Sequence, residues 1–249
     1  MQHRGVDSNT RPATDCIISR MLVLSLDTTS RAGSCALARD GQVVCVQGSD
    51  SSREQGGQLP GALATLLDRE SVALREIDGY GVAIGPGSFT GLRVGIATMQ
   101  GLAMATGKPL IGVSALDALA VLAGAEQYSS GRIVAWIEAW RGDVFSATYE
   151  RGRALRAPVI APPNELLDHV SGRATVFIGN GAARNMDLIR TTCVGNAHLA
   201  DPIAPLLAGA VATVTSQVLR SGHHPPPHDI RPLYVLRSDT NVAANTRLV

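Results

Sequence analysis

Two short segments of the sequence carry residue types that bind phosphate groups or metal-bound nucleotides. Asp27-Thr28-Thr29 directly follows an apolar run, and Gly85-Pro86-Gly87-Ser88-Phe89-Thr90-Gly91 separates a second apolar run from a helical pattern. Open α/β sheets place ligands at the carboxyl ends of their strands, and the amides at a helix amino terminus attract anions. The candidate phosphate-like residues are Asp27, Thr28, Gly85, Gly87 and Arg93.

Each segment also has an explanation that involves no ligand. Asp27 and Thr28 can close the turn after the strand through hydrogen bonds between their side chains and the local backbone. The glycines of residues 85–91 can serve a tight strand-to-helix turn, and the loop matches neither the phosphate-binding lysine motif nor the dinucleotide fingerprint. The sequence favours the local-turn explanation for Asp27 and leaves both explanations open for the glycine loop.

Nucleophilic or metal-dependent catalysis finds little support in the sequence. The six histidines form no helical pair around a glutamate, and no cysteine cluster accompanies them. Glu138 and Asp143 could pair as acid and base, but they fall in a predicted strand-turn-strand, where acidic side chains commonly face solvent. We therefore predict no catalytic residue and no metal site.

Length and composition indicate a globular protein of the cytoplasm. The chain has 249 residues, of which 45% are hydrophobic and 17% charged, enough for one large domain or two smaller ones. A net charge of +1 provides no broad positive field, so we expect any RNA contact to be shared with a partner. No segment reaches the roughly 18 uninterrupted apolar residues of a membrane span. The four cysteines lack disulfide or zinc spacing, which fits a reducing compartment.

A predicted hairpin around Asp40-Gly41 separates two of these cysteines. Side-chain direction alternates along a strand, so a two-residue turn would place Cys35 and Cys45 on opposite faces of the ribbon. We therefore expect no disulfide bond between them.

Alternating strand and helix patterns predict a mixed α/β fold. The predicted strands cover residues 21–26, 34–38, 42–47, 80–84, 110–113, 133–137, 144–150 and 175–178. The predicted helices cover a leucine-rich segment that contains residues 59–67, then residues 91–107, 115–123, 165–170 and 203–219. Residues 157–163 are predicted to form a loop, and residues 233–236 an edge segment.

These elements suggest two lobes. The larger is an amino-terminal lobe over residues 21–127, and a smaller second lobe covers residues 128–202. The helix near residues 203–221 is a candidate to pack back on the first lobe. Residues 1–20 are expected to be a disordered extension, with Met21 as the natural start, and residues 222–249 an extended tail.

The helix after the glycine loop is apolar around most of its circumference and therefore needs cover on most sides. Gly91 and Gly95, and separately Ala97, Gly101 and Ala105, recur four residues apart and form stripes on which another helix packs closely. The helix is either a central core element, which is the default, or an element that faces the core on one side and a partner on the other.

Segments along most of the chain resemble the TsaB family. The resemblance runs through Leu-Val-Leu-Ser-Leu-Asp-Thr-Thr at 22–29, Ser-Cys-Ala-Leu at 34–37, Gly-Pro-Gly-Ser-Phe-Thr-Gly-Leu-Arg-Val-Gly at 85–95, Gly-Val-Ser-Ala-Leu at 112–116, Ile-Glu-Ala-Trp-Arg-Gly-Asp-Val-Phe at 137–145 and Pro-Leu-Tyr-Val-Leu-Arg at 232–237. It covers about residues 21–237, and its most specific part is 85–95 with the Gln-Gly-Leu-Ala at 100–103.

The resemblance implies a two-lobed, actin-like and ribonuclease-H-like (ASKHA) fold and a pseudo-enzyme without cofactor or bound nucleotide. It implies a TsaD-like catalytic subunit as partner, a TsaE-like ATPase in the same assembly, and contact with transfer RNA only through the complex that forms threonylcarbamoyladenosine. TsaD-like enzymes hold a metal with histidines on a first-lobe helix, whereas residues 58–70 and 91–107 contain no histidine. The implied partner interface comprises Leu59, Leu63, Leu66, Leu67, Leu92, Ile96, Met99 and Ala103. The resemblance also allows a homodimer when the partner is absent.

Two positions depart from the family pattern, and two other functions stay open as alternatives. Arg53-Glu-Gln-Gly stands where the family often has Arg-x-His-Thr, and Trp140 stands where an arginine is common. One alternative is a small ATPase or sugar-type kinase that uses Asp27 and the glycine loop. The other is a peptidase, for which the sequence offers no activated nucleophile or metal set.

Overall fold

The structure, a computed structural model, describes residues 21–30, 33–48, 59–125, 131–170 and 172–237. Three predictions lie outside these residues: the extension over residues 1–20, the departure at Arg53 and the final part of the tail from residue 238. The side chain of Leu59 also lies outside them, although its backbone begins a helix.

A first mixed sheet holds the amino-terminal half of the chain. Its strands are β1 (Leu22–Asp27), β2 (Ser34–Arg39), β3 (Gln42–Gly48), β4 (Gly79–Gly85) and β5 (Leu110–Ser114), in the order β3-β2-β1-β4-β5. The β1–β2–β3 meander is antiparallel, whereas β1, β4 and β5 run parallel. Every residue of β1 is buried, which explains why its sequence is a nearly continuous apolar run rather than an alternating one.

Three helices connect and cover these strands. They are α1 (Leu59–Arg69), α2 (Phe89–Thr106) and α3 (Ala115–Ala125). Ser88 caps α2 by accepting a hydrogen bond from the Gly91 amide at 3.2 Å, and Gly107 ends it in the left-handed conformation.

A second mixed sheet follows in the chain. Its strands are β6 (Arg132–Glu138), β7 (Val144–Glu150), β8 (Arg153–Ala154), β9 (Val159–Ala161), β10 (Thr175–Ile178) and β11 (Ala197–Leu199). The order is β11-β10-β6-β7-β8, and β9 pairs with β7. The helices of this half are α4 (Pro163–Leu167), α5 (Asn180–Arg184), α6 (Met186–Thr192) and α7 (Ala208–Arg220). None of the helices in the described residues is long and apolar enough to cross a membrane.

Four apolar clusters fill the space between these layers. The first lies between one face of the first sheet and the helices α1 and α2, and the third lies on the opposite face, under α7. On the second sheet, α3 covers one face while α4, α5 and α6 cover the other. Helix α3 contributes side chains to both sheets and contacts α7, so it lies at the junction of the two halves.

Several element predictions were wrong at their boundaries. The last long helix begins at Ala208 rather than residue 203, because residues 201–207 form bends and irregular backbone that include Pro202 and Pro205. The predicted loop over 157–163 contains the short strand β9, while α6 and β11 were not predicted at all. Residues 233–236 form no strand, although the Leu233 amide donates to the Ile84 carbonyl at 2.7 Å.

The prediction that Cys35 and Cys45 lie on opposite faces was also wrong. A β-bulge between Leu37 and Ala38 shifts the register, so that Leu37 pairs with Cys45 instead of with Val44. One extra residue reverses every later side chain, so both thiols face the cluster under α1. Both cysteines are free, and burial raises the pKa of the Cys35 thiol to about 11.

The described part of the tail runs along α2 and reaches the second sheet. Gln100 Nε2 donates to the carbonyl oxygens of Pro227 at 2.9 Å and Ile230 at 3.2 Å. Farther along, Arg237 Nη1 lies 3.2 Å from Asp143 Oδ2 in the turn after β6. The tail therefore connects the two halves by side-chain contacts.

Two methionines of α2 offer a matched test of which side of that helix is core. Met99 is fully buried, whereas Met104 is 66% exposed. Met99→Ala leaves a cavity and should lower the free energy of unfolding of the isolated chain by about 2–5 kcal/mol. Met104→Ala should change it by less than about 0.5 kcal/mol. Urea denaturation followed by circular dichroism measures both, and equal effects would contradict the assigned face.

Candidate functional site

The Asp27-Thr28-Thr29 turn is closed by its own hydrogen bonds. Asp27 Oδ1 accepts from the Thr29 amide at 2.9 Å and from Thr29 Oγ1 at 2.7 Å. Thr28 Oγ1 donates to the Gly91 carbonyl oxygen at 2.8 Å. All three residues are buried, so these side chains are engaged in local structure. This is the arrangement that the local-turn explanation of Asp27 predicts.

The glycine loop lies directly against this turn. A Cβ atom at Gly87 would collide with the Thr29 carbonyl, and one at Gly91 would collide with the Thr28 carbonyl. The Ser88 amide donates to the Thr29 carbonyl oxygen at 2.8 Å. At these positions glycine is therefore needed for backbone-to-backbone packing, which accounts for part of the motif without any phosphate.

Arg93 contacts two aromatic side chains, one of them in the glycine loop and one in the tail. Its guanidinium lies 3.7 Å above the Phe89 ring, and its Nε donates to Tyr234 Oη at 3.3 Å. Phe89 and Tyr234 stack at a centroid distance of 5.7 Å. Arg93 is absent from the lining of the cleft that contains Asp27, so the structure does not bring the two side chains together. The phosphate-like role of these residues stays a prediction.

A cleft of about 680 Å³ separates the two sheets at this level. Its lining includes Asp27 and Ser88 from the first half and Glu138, Trp140 and Arg184 from the second. Arg184 pairs with Glu138, and the Glu138 amide donates to Asn180 Oδ1 at 3.0 Å. Glu138 is thus held by an ion pair and its backbone by a side-chain amide.

The glycine turn after β10 is filled by packing in the same way as the first glycine loop. A Cβ at Gly179 would collide with the Trp136 carbonyl oxygen, and one at Gly181 would come within 3.0 Å of the Trp136 and Ile137 carbonyl carbons. Asp27, the acidic group at the base of the cleft, has its pKa raised by burial, against the lowering effect of its bonds from Thr29. Across the described residues, no three His, Cys, Asp or Glu side chains group in a way that could hold a metal ion.

The predicted partner interface falls largely inside the subunit's own core. The buried members, each less than one tenth exposed, are Leu63, Leu66, Leu67, Leu92, Ile96, Met99 and Ala103. All but Leu92 belong to the cluster between α1, α2 and the first sheet. The prediction was therefore wrong for the members that pack only against their own sheet, because such atoms are not available to a partner. Leu63 and Leu67 also line the groove described below and stay predicted interface residues.

The outward face of α2 carries the second stripe of small residues. Ala97, Gly101 and Ala105 are exposed at intervals of four residues, and Met104 beside them is 66% exposed. A Cβ at Gly101 would meet nothing within 4 Å. The first stripe, by contrast, faces inward, because Gly95 packs against Thr28. Residue spacing predicts both stripes, but the tertiary contacts are needed to tell which stripe faces the core and which faces solvent.

An apolar groove of about 330 Å³ runs between α1 and α2. Asp68 is the charged residue in its lining, and the remaining side chains are mostly apolar. Its lining includes Leu63, Ala64, Leu67, Val72, Leu74, Thr98 and Leu102. Ala64 and Leu74 in this groove and Met104 beside it were not among the predicted interface residues. Helical spacing alone does not separate core from surface on a helix that is apolar around most of its circumference.

Comparison with known proteins places these features among related chains. Residues 46–186 match the family model described as TsaD: tRNA N6-adenosine threonylcarbamoyltransferase. The chain is 36% identical over 136 residues to the tRNA threonylcarbamoyladenosine biosynthesis protein TsaB of Escherichia coli (strain K12). That alignment covers 53% of this chain and 56% of the relative, so it spans little more than half of that protein's length.

Solved structures agree with the fold. YeaZ from Pseudomonas aeruginosa superposes with a TM-score of 0.70 at 27% identity, over 86% of this chain and all of that one. An activator of 2-hydroxyisocaproyl-CoA dehydratase from Clostridium difficile, solved with bound ADPNP, gives a TM-score of 0.53 at 11% identity, over 87% of this chain and all of that one. The second likeness concerns the fold alone, and the predicted actin-like α/β class is confirmed.

Asp27 provides a test of whether its buried carboxyl serves structure. Burial raises the pKa of Asp27 above its ordinary value of 3.8. The protonated carboxyl group therefore stabilises the fold fully when the pH is below 3.8, and this stability is lost as the pH rises through the raised pKa. Asp27→Asn keeps an acceptor for Thr29 without a buried charge, so we expect stability at pH 7 at least equal to wild type. Asp27→Ala leaves both Thr29 donors unpaired and should cost about 1–3 kcal/mol.

Thermal and urea unfolding from pH 3 to pH 8 measure these differences. The pH-dependent loss should be smaller in Asp27→Asn than in wild type. Strong destabilisation by Asn at pH 7 would show that the ionised carboxylate itself is required, against the local-turn explanation.

Proposed function

The chain belongs to the TsaB family, and we propose on that premise that it is a non-catalytic subunit in the biosynthesis of threonylcarbamoyladenosine in transfer RNA. Its role is to bind a TsaD-like catalytic subunit and hold it in a competent arrangement. The observation that carries this proposal is the exposed small-residue face of α2 beside an apolar groove. A TsaE-like ATPase would join the same assembly, and no resident cofactor is required.

The match to the TsaD family model supports a partner of related fold. A catalytic subunit with the same first-lobe architecture has its own counterparts of α1 and α2, so the two helix pairs can face each other in a pseudo-symmetric arrangement. A second copy of this chain would present the same surface, so we propose a homodimer when the partner is absent. An interface of ordinary size would bury about 1,200–2,000 Å² in total.

The small side chains determine how closely a partner helix can approach. Packed helices lie about 8–10 Å apart, and the shorter distances require small residues at the contact. Ala97, Gly101 and Ala105 provide such a track, while Met104 and the apolar groove offer adaptable surface beside it. The partner would therefore lie along α2 and place apolar side chains over the groove towards α1.

The proposal that the subunit is non-catalytic rests on how its chemically competent residues are used. Asp27 is bonded to Thr29, Gly87 and Gly91 pack on that turn, and Arg93 stacks on Phe89. Glu138 is paired with Arg184 across the cleft lining. Catalysis of threonylcarbamoyl transfer would then belong to the partner.

A small ATPase or kinase is the alternative that shares this fold. Isothermal titration calorimetry of the purified chain with ATP and Mg²⁺ distinguishes the two functions. We expect no heat of binding at micromolar nucleotide. Micromolar affinity that is lost in Asp27→Asn would favour the ATPase instead. That variant is expected to retain the fold, but it removes the carboxylate at the carboxyl end of β1.

Gly101→Glu tests the docking face directly. The side chain would project into open space, so the isolated chain should fold with at least wild-type stability. In a complex, the introduced carboxylate would be buried without a compensating positive charge. We therefore expect co-purification with the TsaD-like subunit to be lost. Affinity co-purification after co-expression, followed by size-exclusion chromatography, measures complex formation.

Gly124→Glu is the matched control. Gly124 lies on α3, away from the helix pair, and a Cβ there also meets nothing within 4 Å. This variant should retain the complex. Wild-type complex formation by Gly101→Glu would rule out the outward face of α2 as the docking surface.

A further inference from the structure

A row of charged side chains crosses one end of the second sheet. Arg132 of β6 pairs with Glu150 of β7, and Glu150 pairs with Arg153 of β8. Residues directly opposite on neighbouring strands project from the same face, so the three side chains lie side by side. Arg132 donates from Nε at 3.0 Å and from Nη2 at 2.8 Å to Glu150 Oε1, and Arg173 Nη1 donates to the same oxygen at 3.3 Å.

The β7–β8 hairpin adds further arginines to this row. Arg151 and Gly152 both have positive φ, 49° and 73°, as in the tight two-residue turns that match strand twist. The turn therefore projects Arg151 at the tip, with Arg153 and Arg156 following it on an exposed segment. We call Arg132, Arg151, Arg153, Arg156 and Arg173 the arginine cluster.

The arginine cluster lines two neighbouring cavities. A broad depression of about 980 Å³ is lined by Arg132, Glu150, Arg151, Arg153 and Arg173. A smaller pocket of about 80 Å³, which shares Arg132 and Leu155 with it, adds Arg156 and His169. The cluster thus faces a surface large enough for an extended ligand.

Positive charge is concentrated here although the whole chain is nearly neutral. Among the residues that line the two cavities, Glu150 is the one carboxylate against five arginines. Hydrogen bonding from Arg132 lowers the pKa of Glu150, which keeps that carboxylate ionised and the row aligned. The net charge of +1 therefore conceals a strongly basic patch that is balanced by acidic residues elsewhere.

Arginine is suited to one class of ligand in particular. Its planar fork of donors matches phosphate oxygens, and several arginines spaced along a groove fit a chain of phosphates better than a single anion. The depression shares no lining residue with the α1–α2 groove, so the two sites use different residues.

We propose that the arginine cluster binds the phosphodiester backbone of transfer RNA. The identity of the RNA rests on the proposed function, whereas the site rests on the cluster itself. The subunit then contributes a direct hold on the substrate, in addition to holding its partner. This contact is with the backbone, so it positions RNA without reading its sequence.

Fluorescence anisotropy of the full chain with a labelled transfer RNA transcript tests the proposal. Binding is measured between about 50 and about 200 mM NaCl, where each phosphate contact contributes nearly one unit to the slope of log K against log salt. The variant Arg151→Gln/Arg153→Gln/Arg156→Gln should make this negative slope shallower by about two to three units. It should also weaken binding at least about ten-fold. Circular dichroism verifies that it remains folded.

The control removes the same charge from other places. Arg75, Arg190 and Arg220 are exposed and lie outside the cluster, so Arg75→Gln/Arg190→Gln/Arg220→Gln should retain the wild-type slope within about one unit. Equal losses in both triple variants would indicate a general charge effect and overturn the site. The site would also be overturned if the wild-type chain did not bind transfer RNA, or if the cluster variant kept the wild-type slope.

Two further measurements separate this proposal from its alternatives. Binding to vesicles that contain phosphatidylglycerol, without binding to transfer RNA, would overturn it in favour of a membrane surface. Co-purification with the TsaD-like subunit should be retained by the cluster variant. Loss of the partner by the wild-type chain would count against the proposed function, while salt-dependent RNA binding through the cluster would stand independently.

Discussion

The structure depends on the close contact between the start of α2 and the turn after β1. The carbonyl groups of Thr28 and Thr29 approach the helix so closely that Gly87 and Gly91 have no room for a side chain. Thr28 Oγ1 and the Ser88 amide then fix the two segments by hydrogen bonds of 2.8 Å each. Once the first turn is held, the rotation of the whole helix is set, and with it the residues that face outward. A motif that looks like a phosphate loop therefore determines the orientation of the proposed docking surface.

Most strands could be predicted from the sequence because burial on both faces produces continuous apolar runs, as in Leu22–Asp27. The face of α2 could not be predicted in the same way. Its apolar residues surround the axis, and glycine or alanine recurs every fourth residue on both sides, so neither periodicity nor size separates core from surface. Met99 and Met104 have the same side chain and opposite environments. The contacts of Gly91 and Gly95 with Thr28, which is remote in sequence, turn one side of α2 towards the core.

Local irregularities and charge placement escaped prediction for related reasons. The bulge that brings Cys45 to the same face as Cys35 depends on one unpaired residue, which leaves no trace in the residue types of the hairpin. The arginine cluster is assembled from β6, the β7–β8 hairpin and the segment before β10, so total charge could not reveal it. The tight turn at Arg151-Gly152 was the available signal, because it concentrates three arginines within six residues.

The tail and α3 connect the two halves of the molecule. Gln100 holds the backbone at Pro227 and Ile230 on the first half, and Arg237 contacts Asp143 on the second, while α3 packs on both sheets. A movement of one half against the other would break these bonds. These contacts favour one orientation of the two halves relative to each other. Whatever is seated on the outer face of α2 is thereby oriented relative to whatever lies on the far edge of the second sheet.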